Sequence, residues 1–229
     1  MTATINADPT RPALVDSETL EWKPSPAPGV ERRMLERIGD ERARVTSIVR
    51  YGPETEFPEH THDGGEEFLV LYGTFIDAAG EYPAGTYVRN PVGSSHAPWT
   101  VDGCTIFVKL WWMHPDDQER VCLDTTRAEL WESAEADGVD RLLLHRFGTE
   151  ENELIRLNPG GTLPAHAVDG GEEIFVLAGQ CRDGNDTLTE GTWRRQPSGE
   201  AATLESKGGC VLYCKRGHLH NLPPAPPQD

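Results

Sequence analysis

The feature that most constrains this chain is that it repeats itself. Pro164-Ala165-His166-Ala167-Val168-Asp169-Gly170-Gly171-Glu172-Glu173 follows the pattern of Pro58-Glu59-His60-Thr61-His62-Asp63-Gly64-Gly65-Glu66-Glu67 at a shift of 106 residues. The same shift carries Gly73 to Gly179, Asp77 to Asp183, Pro91 to Pro197, Gly93 to Gly199 and Cys104 to Cys210. A looser echo links Leu14–Trp22 with Val121–Trp131. A period of this length in 229 residues means two copies of one folding unit. The polar stretch Pro115–Glu119 marks the junction. The expected division is a disordered lead over 1–12, a first domain over 13–115, a second over 116–220, and a Pro-rich tail over 221–229.

Each copy reads as short strands. Arg44-Val45-Thr46-Ser47-Ile48-Val49-Arg50 alternates with period two, and Gly52-Pro53 ends it. Val30–Ile38 reads as a strand running to the Gly39-Asp40 turn. Further strands are expected at Phe68–Tyr72, Thr74–Asp77, Gly85–Asn90, His96–Thr100 and Cys104–Trp112, separated by Gly, Pro and Asp turns. The class is all-β, a sandwich or barrel. Trp111-Trp112 is expected to pack at the junction, and His218-Leu219-His220 to end a terminal strand.

The first copy concentrates chemistry. His60 and His62 lie two residues apart, so in a strand they point to one side. Gly64-Gly65 lets the backbone bend before Glu66. Phe68 and Val70 continue in phase with Glu66, which places the carboxylate among apolar side chains, a costly position unless it is paired or bound to a cation. His96 follows a Pro91-x-Gly93 turn. Three imidazoles and one carboxylate suit Fe, Zn, Mn, Ni or Cu better than Ca or Mg.

The combined pattern, H-x-H-x3-E-x6-G over His60–Gly73 and G-x5-P-x-G-x2-H over Gly85–His96, resembles the two motifs of the cupins. Thr100 stands where the second motif usually closes with Asn, a position that is not a ligand. The phrases Gly65–Leu71, Tyr82–Pro91, Gly93–Pro98 and Gly103–Lys109 resemble the cupin module of ChrR-type proteins. The resemblance covers residues 14 to 220, more fully in the first half. It implies two tandem double-stranded β-helix (jelly-roll) domains, a bicupin, with His60, His62, Glu66 and His96 as metal ligands. Regulatory relatives carry a separate helical zinc domain with His and Cys ligands; no Cys precedes Cys104 here.

The second copy keeps His166 and Glu172 but has Val168 for His62 and Ala202 for His96. Two donors hold a divalent ion weakly. The expectation is one divalent transition metal per chain, in the first half, with His166 and Glu172 a hydrogen-bonded pair.

The functional reading is a small-molecule metalloenzyme of oxygenase type, with a ChrR-like zinc-binding regulatory or sensory module as the alternative. Phe68, Val70, Tyr87, Arg89, Trp99 and Phe107 are the expected pocket residues, Arg89 able to hold an oxyanion. No residue is assigned a catalytic role, and Glu67 faces away from Glu66. The net charge of −17 and pI near 4.8 argue against nucleic acid or anionic membrane as a partner. Five cysteines without a C-x2-C, and no apolar leader or span, fit a reducing cytoplasm. A small molecule is the expected partner, and a homodimer the expected assembly.

Overall fold

A computed structural model describes residues 4–167, 169–199, 201–223 and 226. The described residues contain no α-helix; two 3-10 turns, Ser17–Thr19 and Ala128–Leu130, interrupt a succession of strands. The chain divides into two compact units. One comprises residues 1–7, 20–126 and 223–229, and the other residues 8–19 and 127–222.

In the first unit the main sheet runs Thr4–Ile5, Val30–Ile38, Arg44–Tyr51, Cys104–Leu110, Glu66–Asp77, Thr86–Asn90, Val121–Asp124. All pairs along it are antiparallel. A second layer is built from short pieces. Trp99–Thr100 pairs with Thr55–Glu56 and with Ile76, Gly80–Pro83 pairs with the end of Glu66–Asp77, and His60–Thr61 pairs with Ser95–His96. The 12-residue strand Glu66–Asp77 serves both layers. It turns from one to the other at Gly73, whose φ is +70° and whose Cβ position is blocked by the Gly103 carbonyl 2.1 Å away. Phe68, Val70, Phe75, Tyr82, Val88, Ile106 and Val108 fill the space between the layers.

The second unit repeats this plan. Its main sheet runs Glu132–Ser133, Val139–Phe147, Glu150–Leu157, Cys210–Arg216, Glu172–Asp183, Thr192–Gln196, Ala13–Asp16. Ile155, Leu157, Ile174, Val176, Leu204 and Leu212 form its core. In both units the hydrogen-bonded order is a path with free ends, so the sheets are open and not the closed barrel that the strand pattern also allowed.

The units are delimited differently from the repeat. Ala13–Asp16 pairs with Thr192–Gln196 and so completes the second unit, while Val121–Asp124 pairs with Thr86–Asn90 and completes the first. Each sheet edge needs a strand to satisfy its N–H and C=O groups, and the echo between the two opening segments supplies equivalent strands for both edges. The lead expected to be disordered also contributes to a sheet: Thr4 and Ile5 pair with Ile38 and Arg37. Within the tail, the Pro223 carbonyl accepts a hydrogen bond from Arg44. The strand Cys210–Arg216 ends two residues before His218, whose Nε2 meets Glu173 Oε1 at 3.0 Å. All five thiols are free, Cys122 exposed and the other four buried.

Candidate metal centre

His60 and His96 stand directly opposite each other on the short ladder His60–Thr61/Ser95–His96. Gly65 adopts a φ of +74°, and a Cβ there would strike Met113; Gly64 packs equally close under the Trp111 ring. This bend returns the chain toward the ladder and sets Glu66 at the start of the long strand. The result gathers His60, His62, Glu66 and His96 so that one ligand atom from each lies within 4.8 Å of the others.

Each imidazole is oriented through its Nδ1. That of His60 lies 3.0 Å from the Pro58 carbonyl, that of His62 2.9 Å from Ser94 Oγ, and that of His96 3.1 Å from Asp77 Oδ2. Ser94 Oγ donates to the Pro91 carbonyl at 2.6 Å, so it accepts from His62 Nδ1–H. Asp77 is itself held, since Ala79 N–H and the Tyr82 hydroxyl both donate to its Oδ1 at 2.8 and 3.0 Å. With the proton on Nδ1, each ring presents the lone pair of Nε2, the arrangement by which outer carboxylates and carbonyls orient metal-binding histidines.

The Nε2 atoms of His62 and His96 are buried without a hydrogen-bond partner, 3.4 and 3.5 Å from Glu66 Oε2. Asn90 Nδ2 donates to that same oxygen at 3.0 Å. Donors bound to one ion at about 2.0–2.2 Å lie about 3 Å apart, so these spacings fit a shared cation. Burial, reinforced by the neighbouring His60, pushes His62 down to about 4. Burial also lowers His96, despite the opposing pull of Glu66 and Asp77. Both rings are therefore neutral at pH 7, the form that coordinates. The donor set fits a divalent transition metal.

The cluster borders a cavity of about 580 Å³ to which His60, His62 and Glu66 contribute. Its apolar wall includes Val30, Val49, Phe57, Ile106 and Val108; Tyr51 and Trp111 add aromatic faces, and Arg32, Glu41 and Arg42 add charge. Burial and the charge of Glu66 push the Tyr51 phenol far up, so it stays protonated.

The expected pocket residues are placed elsewhere. Phe68 and Val70 belong to the core behind the site. Tyr87, Arg89 and Phe107 lie on the other face of the sheet, because they register with Leu69 and Glu67, not with Glu66. There Tyr87 donates to Glu67 at 3.0 Å and Arg89 pairs with Asp117 at 2.7 Å. Trp99 sits on a short strand, 37% exposed. Arg32, Tyr51 and Trp111 were not anticipated; Tyr51 falls in the alternating run that ends at Gly52, and that phase was the available signal. Trp112 is buried within the first unit, its Nε1–H donating to the Val45 carbonyl at 2.9 Å, whereas Trp111 turns at a φ of +67° and lines the cavity.

In the second unit His166 registers with Ala202 as His60 does with His96, and its Nε2 lies 3.1 Å from Glu172 Oε2. Val168 lies outside the described residues. Two arginines complete the cluster. Arg194 Nη2 and Arg216 Nε reach Glu172 at 2.6 and 2.8 Å, and Arg216 also pairs with Glu153. Burial alone would raise Glu172, but His166, Arg216 and Arg194 together outweigh it and hold the carboxyl at about 2. The repeat shift maps Val88 to Arg194 and Leu110 to Arg216, so this replacement was readable in the sequence. Among the described residues the first unit's cluster alone groups three or more metal-ligating side chains.

Open antiparallel sheets in two layers, twice over, with a three-His, one-Glu cluster at the mouth of one sandwich, define a bicupin. The profile of the ChrR Cupin-like domain matches residues 10–114 and 118–220, and the chain belongs to that family. Solved structures share the fold at low identity. A proposed dioxygenase from Nostoc punctiforme is 18% identical with a TM-score of 0.74, covering 91% of this chain and 83% of its own. The salicylate 1,2-dioxygenase of Pseudaminobacter salicylatoxidans is 12% identical with a TM-score of 0.63, covering 91% and 84%. The pirin YhhW of Escherichia coli, solved with nickel(II), is 12% identical with a TM-score of 0.67, covering 93% and 100%. No curated protein matches the chain. No helix among the described residues is long and apolar enough to cross a membrane.

Proposed function

We propose that the first unit holds one divalent transition metal through His60, His62, Glu66 and His96 and acts on a small molecule as an oxygenase-type metalloenzyme. The observation that carries this reading is the pair of buried, partnerless Nε2 atoms beside Glu66, at the edge of a cavity that a substrate could enter. A metal held by these four residues would supply Lewis-acid or redox chemistry there. The chain's own residues orient the donors and shape the cavity. Pro58, Ser94 and Asp77 fix the imidazoles, Asn90 fixes Glu66, and Val49, Phe57, Ile106 and Val108 give a substrate an apolar wall to pack on. The dioxygenases among the structural relatives support the class at the level of fold alone.

Elemental analysis of protein purified without added metal or a histidine tag tests this. The expected result is one Fe, Mn, Ni or Cu per chain, lost in His96→Ala and retained in His166→Ala, with oxygen uptake on enolisable or phenolic substrates. One tightly bound Zn without oxygen uptake would transfer the assignment to a regulatory module, the reading that the ChrR family name favours. Absence of any metal after anaerobic purification would refute both.

A further inference from the structure

Arg32 lines the cavity from the strand Val30–Ile38. Its Nη2 lies 3.3 Å from Oε1 of Glu41, whose side chain is 66% exposed. Its Nε is buried and has no hydrogen-bond partner among the described residues. Guanidinium N–H groups lie in one plane and form a fork that fits a carboxylate. Glu41 meets the guanidinium only at Nη2, from a largely exposed carboxylate, so the fork is part-satisfied and a buried N–H without an acceptor is costly. Its cross-strand partners are Val49 on one side and Lys23 on the other, and Ile106 follows Val49 on the next strand.

The distance to the metal-ligand cluster sets the shape of the occupant. Two strands, Arg44–Tyr51 and Cys104–Leu110, lie between the strand of Arg32 and that of Glu66. Three steps of about 4.8 Å separate their backbones by about 14 Å across a surface lined by Val49, Ile106 and Val108, and register sets Arg32 level with Val70, a further four residues along the strand from Glu66. A carboxylate at Arg32 therefore belongs to one end of an extended apolar body, not to a chelate on the metal itself. The net charge of −17 repels anions at long range, so selection rests on the local pair.

We propose that this cavity binds an organic monocarboxylate with an extended apolar body, its carboxylate paired with Arg32 and its far end at the His60–His62–Glu66–His96 cluster. The proposal rests on the reading of that cluster as the reacting end of the site.

The test uses the full metal-loaded chain and calorimetric titration with 4-phenylbutyrate, its uncharged amide, and the shorter benzoate. The expected result is that 4-phenylbutyrate binds about tenfold more tightly than the amide, the discrimination typical of a charge-assisted pair, and more tightly than benzoate. Arg32→Met abolishes the preference for the acid while the metal content per chain stays unchanged. Arg50→Met, which removes a guanidinium stacked on Trp22, leaves it intact. Equal affinity for acid and amide, no binding of either, or a preference that survives Arg32→Met would overturn the proposal. Metal content measured on the same samples separates the two readings. An acid preference lost in Arg32→Met on a metal-free chain upholds the carboxylate site and sinks the metal centre, whereas a metal-loaded chain without the preference does the reverse.

Discussion

Asp77→Asn isolates the role of an outer residue in the metal centre. The carboxylate accepts from Ala79 N–H and Tyr82 on Oδ1 and from His96 on Oδ2. An asparagine that keeps its oxygen toward Ala79 and Tyr82 turns its NH2 toward His96 Nδ1. Two donors then face each other, unless His96 moves its proton to Nε2, the atom that must coordinate. Loss of such an outer partner typically costs 10–100-fold in metal affinity, about 1.4–2.7 kcal/mol. Because two of the three bonds survive, the fold is expected to lose no more than about 1 kcal/mol. Competition with a chromogenic chelator reads the affinity, and urea unfolding of the metal-free chain reads the fold. Affinity within about twofold of the parent, with the fold intact, would refute the claim that Asp77 sets the His96 tautomer.

Other outcomes follow from the packing and the charges. Phe68→Ala removes a ring 1% exposed and 4.7 Å from that of Phe75, and is expected to destabilise the first unit by about 3–5 kcal/mol in urea titration. In the second unit, Glu172 is held at about 2 against an ordinary 4.5, so its contribution to stability is present above pH 4.5 and disappears as pH falls toward 2. Glu172→Gln is expected to flatten that acid limb in a thermal-melting series. The bond to Glu172 raises His166 despite partial burial, so its contribution is present below 6.5 and is lost as pH rises through the raised value; His166→Ala removes this alkaline dependence. Arg216→Leu leaves Glu172 and Glu153 buried with one fewer cation and is expected to cost about 3–5 kcal/mol, with no gain of metal, on calorimetry and elemental analysis.

The sequence by itself determined the doubling of the unit, its all-β character and the four residues that converge in the first copy. Those features are local or periodic: strand alternation sets the face of a side chain, glycines mark the bends at Gly65 and Gly73, and a shift of 106 residues exposes the second copy with its depleted donor set. Tertiary structure decided what local pattern leaves open. Alternation identifies Val121–Asp124 and Ala13–Asp16 as strands but not which edge each will pair with, and the edges they complete belong to the opposite units from those the repeat suggests. Tyr87, Arg89 and Phe107 are as apolar or as well charged as the true lining, yet register with Leu69 and Glu67 puts them on the wrong face. Arg32, Tyr51 and Trp111 reach the cavity only because distant strands curve around it, and Asp77 acquires its role only when the strand ending there meets His96. Strand phase is encoded every two residues, whereas the partner across a sheet or a cavity is chosen by the packing of the whole unit.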